Sequence, residues 1–133
     1  MIVVDTSAWV ELLRDTGHPA AVELESLLEG DEVAVTEIVV MELMAGARSL
    51  SHLRELRARV LAYPLLRLEG LADYEEAALI YRTCREAGET IRALTDCLIA
   101  VPAIRAGAAI LHNDSDFEAI ARRSGLRVHR ARA

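Results

Sequence analysis

The chain has 133 residues, 53% hydrophobic and 27% charged, a balance that suits one globular domain over residues 1–133 and excludes a disordered polymer. Its net charge of −6 argues against an overall electrostatic attraction to nucleic acid, although every cation is Arg and Lys is absent. No apolar run approaches the ~20 residues of a membrane span, and the opening residues lack the basic leader and long apolar core of a signal peptide.

In chain order, Ile2 to Val4 reads as a short buried strand, followed by a helix from Thr6 to about Arg14. Pro19 suits the first turn of a second helix, which runs to Leu28 and stops at Gly30. The β-branched run Val33 to Val35 predicts a second strand; Thr36 is placed to cap a helix reaching Ala45, with Gly46 beyond it. Ser49 or Ser51 opens an Arg-rich helix that ends before Pro64. Leu65 to Leu68 predicts a third strand, and Asp73 to Ala87 a long amphipathic helix closed by Gly88. Thr95 is expected to cap a helix to Arg105, before a strand at Ala109 to Leu111. A helix from Ser115 to Arg123 and a strand from Leu126 to Val128 complete the chain. Alternating strands and helices predict a three-layer α/β/α sandwich around a short, mainly parallel sheet of about five strands. Cys84 and Cys97, with no CxxC or Cys/His zinc spacing, read as reduced core thiols of a cytoplasmic protein.

Four separated segments carry an acid where a plain structural reading does not want one, two just after apolar runs and two inside apolar helical segments. Asp5 and Asp114 follow predicted strands, and in an open α/β sheet both belong at the carboxyl edge, where ligands gather. Each also fits a plain helix N-cap. Glu42 has Ile38, Val39, Ala45 and Gly46 as helical neighbours, a stripe that faces the core or a groove. Glu37, by contrast, fits a solvated first turn. Asp96 lies beneath Ile99 and Ala100, with first-turn dipole stabilisation as the rival account, and the same account applies to Asp116. Gathered together, these carboxylates would be unfavourable unless some protonate or a cation binds. Oxygen ligands of this kind suit Mg²⁺ or Mn²⁺ and phosphodiester chemistry.

Other chemistries lack their parts. DTSAW has no Gly-rich turn for a dinucleotide, and a Lys-free chain cannot supply a Walker motif. Ser7 lacks the GxSxG setting of an activated nucleophile, and the four His have no paired ligand spacing. Thr6 and Ser7 read as helix-capping hydroxyls that are also placed to touch a phosphate or a metal-bound water. Trp9 and the three Tyr read as core or interface residues. Five Arg from Arg48 to Arg67 face only Glu55, and six Arg lie from Arg105 to the end, so both segments read as basic or as solvated faces. Arg48, Arg54, Arg57 and Arg59, with the carboxy-terminal Arg set, are the candidates for guiding a phosphate backbone.

The blocks VVDTSAWVELL, TEIVVMELMAGA and LTDCLIAVPAIRAGAAILHNDSDFEAIA resemble PIN domains, most of all the VapC toxins of bacterial toxin–antitoxin pairs, over nearly the whole chain. By this likeness Asp5, Glu42, Asp96 and Asp114 match the family's acidic residues, and Asp116 a further acid of variable role. The resemblance implies an RNA endonuclease using one or two Mg²⁺ or Mn²⁺ ions. It also implies a homodimer, and a VapB-like antitoxin whose C-terminal segment covers the acidic groove, often bringing an Arg. Pro102, inside the helix after Asp96, should bend it, and His112-Asn113 stands where such proteins often carry a small hydroxyl residue. The rival reading from another class is a non-catalytic module whose acidic groove holds a basic peptide.

Overall fold

A computed structural model describes residues 1–131; Arg132, one of the carboxy-terminal arginines, lies outside the described residues. Five strands, β1 (Ile2–Val4), β2 (Val33–Thr36), β3 (Leu65–Leu66), β4 (Ala109–Leu111) and β5 (Arg127–Val128), form one sheet in the order β3-β2-β1-β4-β5. Every pairing is parallel, so the expected mainly parallel sheet is wholly so. The reason lies in the connections. Successive strands are joined through at least one helix, long enough to return the chain to the edge it started from.

β1 is the centre of the sheet. Its Val3 and Val4 and the β2 residues Ala34 and Val35 are completely buried, which explains why these strands are apolar runs rather than alternating ones. From β1 the chain winds outward through α1 (Thr6–Leu13) and α2 (Pro19–Leu27) to β2, then through α3 (Glu37–Ala45) and α4 (Leu50–Val60) to β3. It then crosses back through α5 (Leu71–Glu86) and α6 (Leu94–Arg105) to β4, beside β1, and ends through α7 (Ser115–Arg123) at β5. The right-handed rule for parallel crossovers predicts α1 to α4 on one face and α5 to α7 on the other. The packing follows this division, with α1 on α2 and α3, α3 on α4, and α5 on α6 and α7, while α3 also reaches α6.

The winding reverses between β1 and β4. Val4 is in register with Leu111, and the Asp5 N–H donates to the Leu111 carbonyl at 2.9 Å. Two glycines deliver the chain to this place. Gly88 and Gly107 have φ of 81° and 65° and end α5 and α6 with paired C-terminal hydrogen bonds, Glu89 N–H to Cys84 O and Ala108 N–H to Ala103 O. The second of these feeds β4 directly.

Three local expectations need correction. The α6 helix begins at Leu94, with Ala93 rather than Thr95 as its N-cap and no capping side chain of its own. Its entry is organised from α7 instead, by Asp116. Thr36 occupies the N-cap position of α3 but makes no capping bond, and its buried hydroxyl has no partner. Glu37 is exposed as expected, yet its Oε1 accepts from the Leu68 N–H at 2.7 Å and so tethers the segment after β3. Ser49 does cap α4, accepting from the His52 N–H, and α6 remains helical through Pro102.

Candidate metal centre and nucleic-acid face

The carboxyl ends of β1 and β4 bring residues 5 and 114 to the same edge. Asp5 accepts from the Ser7 N–H at 2.9 Å and the Ser7 hydroxyl at 2.6 Å, both through Oδ2. The same hydroxyl accepts the Asn113 N–H at 2.8 Å. Ser7 therefore staples the turn after β1 to the turn after β4. Asp114 caps α7 by accepting the Asp116 N–H, and His112 Nδ1 accepts the Asp114 N–H at 3.0 Å while its Nε2 meets Glu118 at 3.1 Å. The capping reading of Asp5 and Asp114 is thus correct, and it uses only part of each carboxylate.

The remaining oxygens converge. Asp96, Asp114 and Asp116 each place one carboxylate oxygen within 4.8 Å of the others. Asp5 adds its charge beside Asp96, and Glu42, on α3, adds its own beside Asp5. Glu42 is held there by the Thr6 hydroxyl, which donates to its Oε1 at 2.7 Å. Asp96, Asp114 and Asp116 thus form one group at ligand distance, which the charges of Asp5 and Glu42 extend.

Asp116 does more than expected. It is buried and accepts the N–H groups of Arg92, at 3.1 Å to both oxygens, and Ala93, at 3.0 Å. It also shares a hydrogen bond with Asp96. Burial opposes its charge, but those backbone donors and the Asp96 contact hold its pKa below the usual value. Asp96 moves the other way. Burial, then the Asp116 hydrogen bond, then the charges of Asp5, Asp114 and Asp116 push it up to about 9. Burial also raises Asp5, against the two Ser7 bonds and with the help of Glu42.

Two atoms give the pocket its meaning. Asp5 Oδ1 and Asp96 Oδ2 are buried and have no hydrogen-bond partner, in residues 3% and 5% exposed. A buried acceptor without a donor is costly. The donor set is all carboxylate oxygen, and so the residues present fit a hard divalent cation.

Arg92 was missed by sequence reasoning. Its Nη2 lies 2.9 Å from Asp114 Oδ1 and its Nε 3.6 Å from Asp116 Oδ1. The one available signal was its place, four residues before Asp96 in a segment following Gly88. Nothing in that spacing says that α7 lies opposite.

The arginines divide into two groups. The carboxy-terminal set is largely consumed within the fold: Arg105 by Asp73 and Glu69, Arg122 and Arg123 by Glu89, Arg130 by Glu118, and Arg127 by the Gly107 carbonyl. Expecting that segment to present free cations is corrected, because Asp73 and Glu89 arrive from α5 and its C-terminal turn. Among the described residues, Arg14, Arg48, Arg54, Arg57, Arg59, Arg67 and Arg85 make no ion pair, Arg85 lying instead over the Tyr81 ring. Arg14, Arg48 and Arg59, with His52, line a cavity of about 690 Å³ between α1, α3 and α4 that reaches Thr6 and Glu42. Arg54 and Arg57 are exposed on α4 outside that lining.

A doubly wound parallel sheet with an acidic pocket at its switch point is the arrangement of the PIN domain, and the chain belongs to that family, whose model matches residues 2–123. Within it, the chain is similar to ribonuclease VapC11 of Mycobacterium tuberculosis, 46% identical over 130 residues that cover 96% of this chain and 97% of that protein. The fold also matches chains in solved complexes. DNA-bound VapBC from Salmonella typhimurium aligns with a TM-score of 0.74 at 20% identity, covering 96% of each chain. VapBC2 from Rickettsia felis, bound to a promoter DNA fragment, aligns at 0.73 and 20%, covering 97% of this chain and 98% of that one.

Proposed function

We propose that this protein is a divalent-metal-dependent endoribonuclease acting as the toxin of a toxin–antitoxin pair. The observation that carries the reading is the pair of buried, partnerless oxygens on Asp5 and Asp96 inside a cluster of acids. The likeness to a VapC ribonuclease over nearly the full chain supplies the substrate class.

Asp5, Asp96 and Asp114 are assigned to hold Mg²⁺ or Mn²⁺, with Asp116 binding it directly or holding Asp96 and the start of α6 in place. Glu42, braced by Thr6, is assigned to orient the attacking water or to hold a second ion. A bound divalent ion supplies Lewis acidity, lowering the pKa of water and offsetting charge that grows on the phosphate during in-line displacement. Burial of Asp5 and Asp96 excludes bulk water from one wall of the pocket. Ser7 fixes the position of Asp5, and Asp116 fixes that of Asp96. Arg14, Arg48 and Arg59 then track the RNA backbone along the neighbouring cavity, with Arg54 and Arg57 further out on α4.

As a toxin–antitoxin complex from Klebsiella pneumoniae contains a chain of this fold, the inferred partner is a VapB-like antitoxin whose C-terminal segment covers the acidic pocket, and the inferred assembly is a homodimer in the cytoplasm. A guanidinium from such a segment can stand in for a cation among carboxylates. The non-catalytic alternative keeps the same pocket for a basic peptide and predicts partner binding without divalent ions.

The deciding experiment is cleavage of structured RNA by purified protein with Mn²⁺, with EDTA, and by Asp96→Asn. Cleavage that needs Mn²⁺ and is lost in the variant supports the nuclease. Activity indifferent to both sinks it.

A further inference from the structure

Among the described residues, Arg92 is the one cation bonded to the acids of the pocket. It is attached there through its backbone and through its side chain, whose Nε also lies 3.6 Å from Asp116 Oδ1. The backbone N–H donates to buried Asp116 and anchors the entry to α6. The side chain, 69% exposed, reaches back to Asp114, whose side chain is 27% exposed. The first bond is deep and structural. The second is a solvent-screened ion pair, and such pairs are weakly held.

We propose that the Arg92 side chain is an exchangeable counter-cation of the pocket: it balances Asp114 while no divalent ion is bound, yields that carboxylate when one binds, and then meets an RNA phosphate at the pocket mouth. This rests on the metal reading above. Asp114 Oδ1 takes the guanidinium and the Asp116 N–H, so a dication drawing on Asp114 competes with Arg92 for the same charge. Asp5 Oδ1 and Asp96 Oδ2, too deep for any such contact, keep their open positions. A released guanidinium remains tethered within a side chain's length of the reacting phosphate, with a planar fork suited to phosphate oxygens. A purely structural brace and a competitor make opposite predictions. Losing a brace loosens Asp114 and weakens metal binding, whereas losing a competitor strengthens it.

The test is Mn²⁺ affinity measured without RNA, by calorimetry or by the paramagnetic signal of free Mn²⁺, for wild type, Arg92→Ala, Arg92→Gln and Arg92→Lys. All keep the backbone N–H to Asp116, and thermal midpoints check that folding is intact. Exchange predicts Mn²⁺ binding roughly two- to fivefold tighter in the Ala and Gln variants and close to wild type in Lys. At saturating Mn²⁺ it also predicts a raised KM for RNA, and a salt dependence shallower by about 0.7 for each phosphate left without its cation. Unchanged or weaker Mn²⁺ binding in both Ala and Gln overturns the exchange while leaving the metal site standing. An unchanged KM and salt slope overturn the phosphate contact. A wild type that binds no Mn²⁺ overturns the metal reading and the exchange together.

Discussion

Asp96 and Asp116 face each other and part in acidity: burial and then its contact with Asp116 raise Asp96, while backbone donors and that same contact hold Asp116 down against its own burial. Asp116 is held ionised by the N–H groups of Arg92 and Ala93, whereas Asp96, more poorly supplied with donors, keeps the proton. The pair titrates as a unit, and the direction of its pH dependence follows. In the unfolded chain Asp96 ionises near 3.8, and in the fold at about 9. Its folded-state preference is for the neutral form, so its contribution is full below about pH 4 and is lost as pH rises toward 9. Asp5 adds to the same trend, and Asp116 opposes it. Metal-free protein should therefore lose thermal stability between about pH 6 and 9, and saturating Mn²⁺ should reverse the loss. Calorimetry in buffers of different ionisation enthalpy should register proton release on Mn²⁺ binding near neutral pH.

Asp96→Asn removes that ionisation and separates stability from activity. Without metal at pH 8, the variant should be more stable than wild type by about 1–3 kcal/mol, the order of an unsatisfied buried polar group. It should bind Mn²⁺ poorly and cleave no RNA. Denaturant melts with and without Mn²⁺ measure both effects, and a variant less stable than wild type in the absence of metal would contradict the account of Asp96.

Ser7→Ala removes the hydroxyl that bridges Asp5 and the Asn113 N–H. The expected loss is about 1.5–3 kcal/mol, because one bond goes to a carboxylate. The Asp5 pKa should rise further as a lowering influence disappears, and Mn²⁺ affinity near pH 6 should fall more than at pH 8. Metal titrations at the two pH values test this.

Neutralising the two groups of arginines should have sharply different effects. Arg14, Arg48 and Arg59 substituted by Gln should each weaken RNA binding and flatten its salt dependence by about 0.7 for every phosphate no longer neutralised. Arg122→Gln and Arg123→Gln break solvent-screened pairs to Glu89, with little stability given up and no change in RNA affinity. Filter binding across a salt series distinguishes them.

Both thiols are buried, and burial pushes the Cys97 pKa up to about 12 and raises that of Cys84. The thiolate is the reactive form. An aromatic disulfide reagent should label neither residue in the native protein at pH 8 and both after unfolding.

Much of this arrangement is readable along the chain. The runs IVV and VAV announce buried strands, and Gly88 and Gly107 end helices where left-handed backbone is needed. Asp5 and Asp114 stand out because they follow apolar strands, and Glu42 and Asp96 because they lie within apolar helical segments. What local pattern cannot carry is the meeting of segments far apart. Asp116 looks like a first-turn acid, and only the approach of residues 92 and 93 makes it the clasp for α6. Thr95 resembles a cap because the real support for that helix comes from elsewhere. Glu89 likewise silences two arginines more than thirty residues away. Composition counts those charges as free, and tertiary pairing does not.

The junction of β1 with β4 also sets an order of events. One wall of the acidic pocket is present within the first five residues, but the other is absent until residue 116 has been added. A nascent chain still lacking its last strands has the Asp5 carboxylate without the partners that complete a cage around it. No fragment that stops short of β4 and the start of α7 can therefore assemble this acidic pocket, whichever of its other carboxylates it already carries.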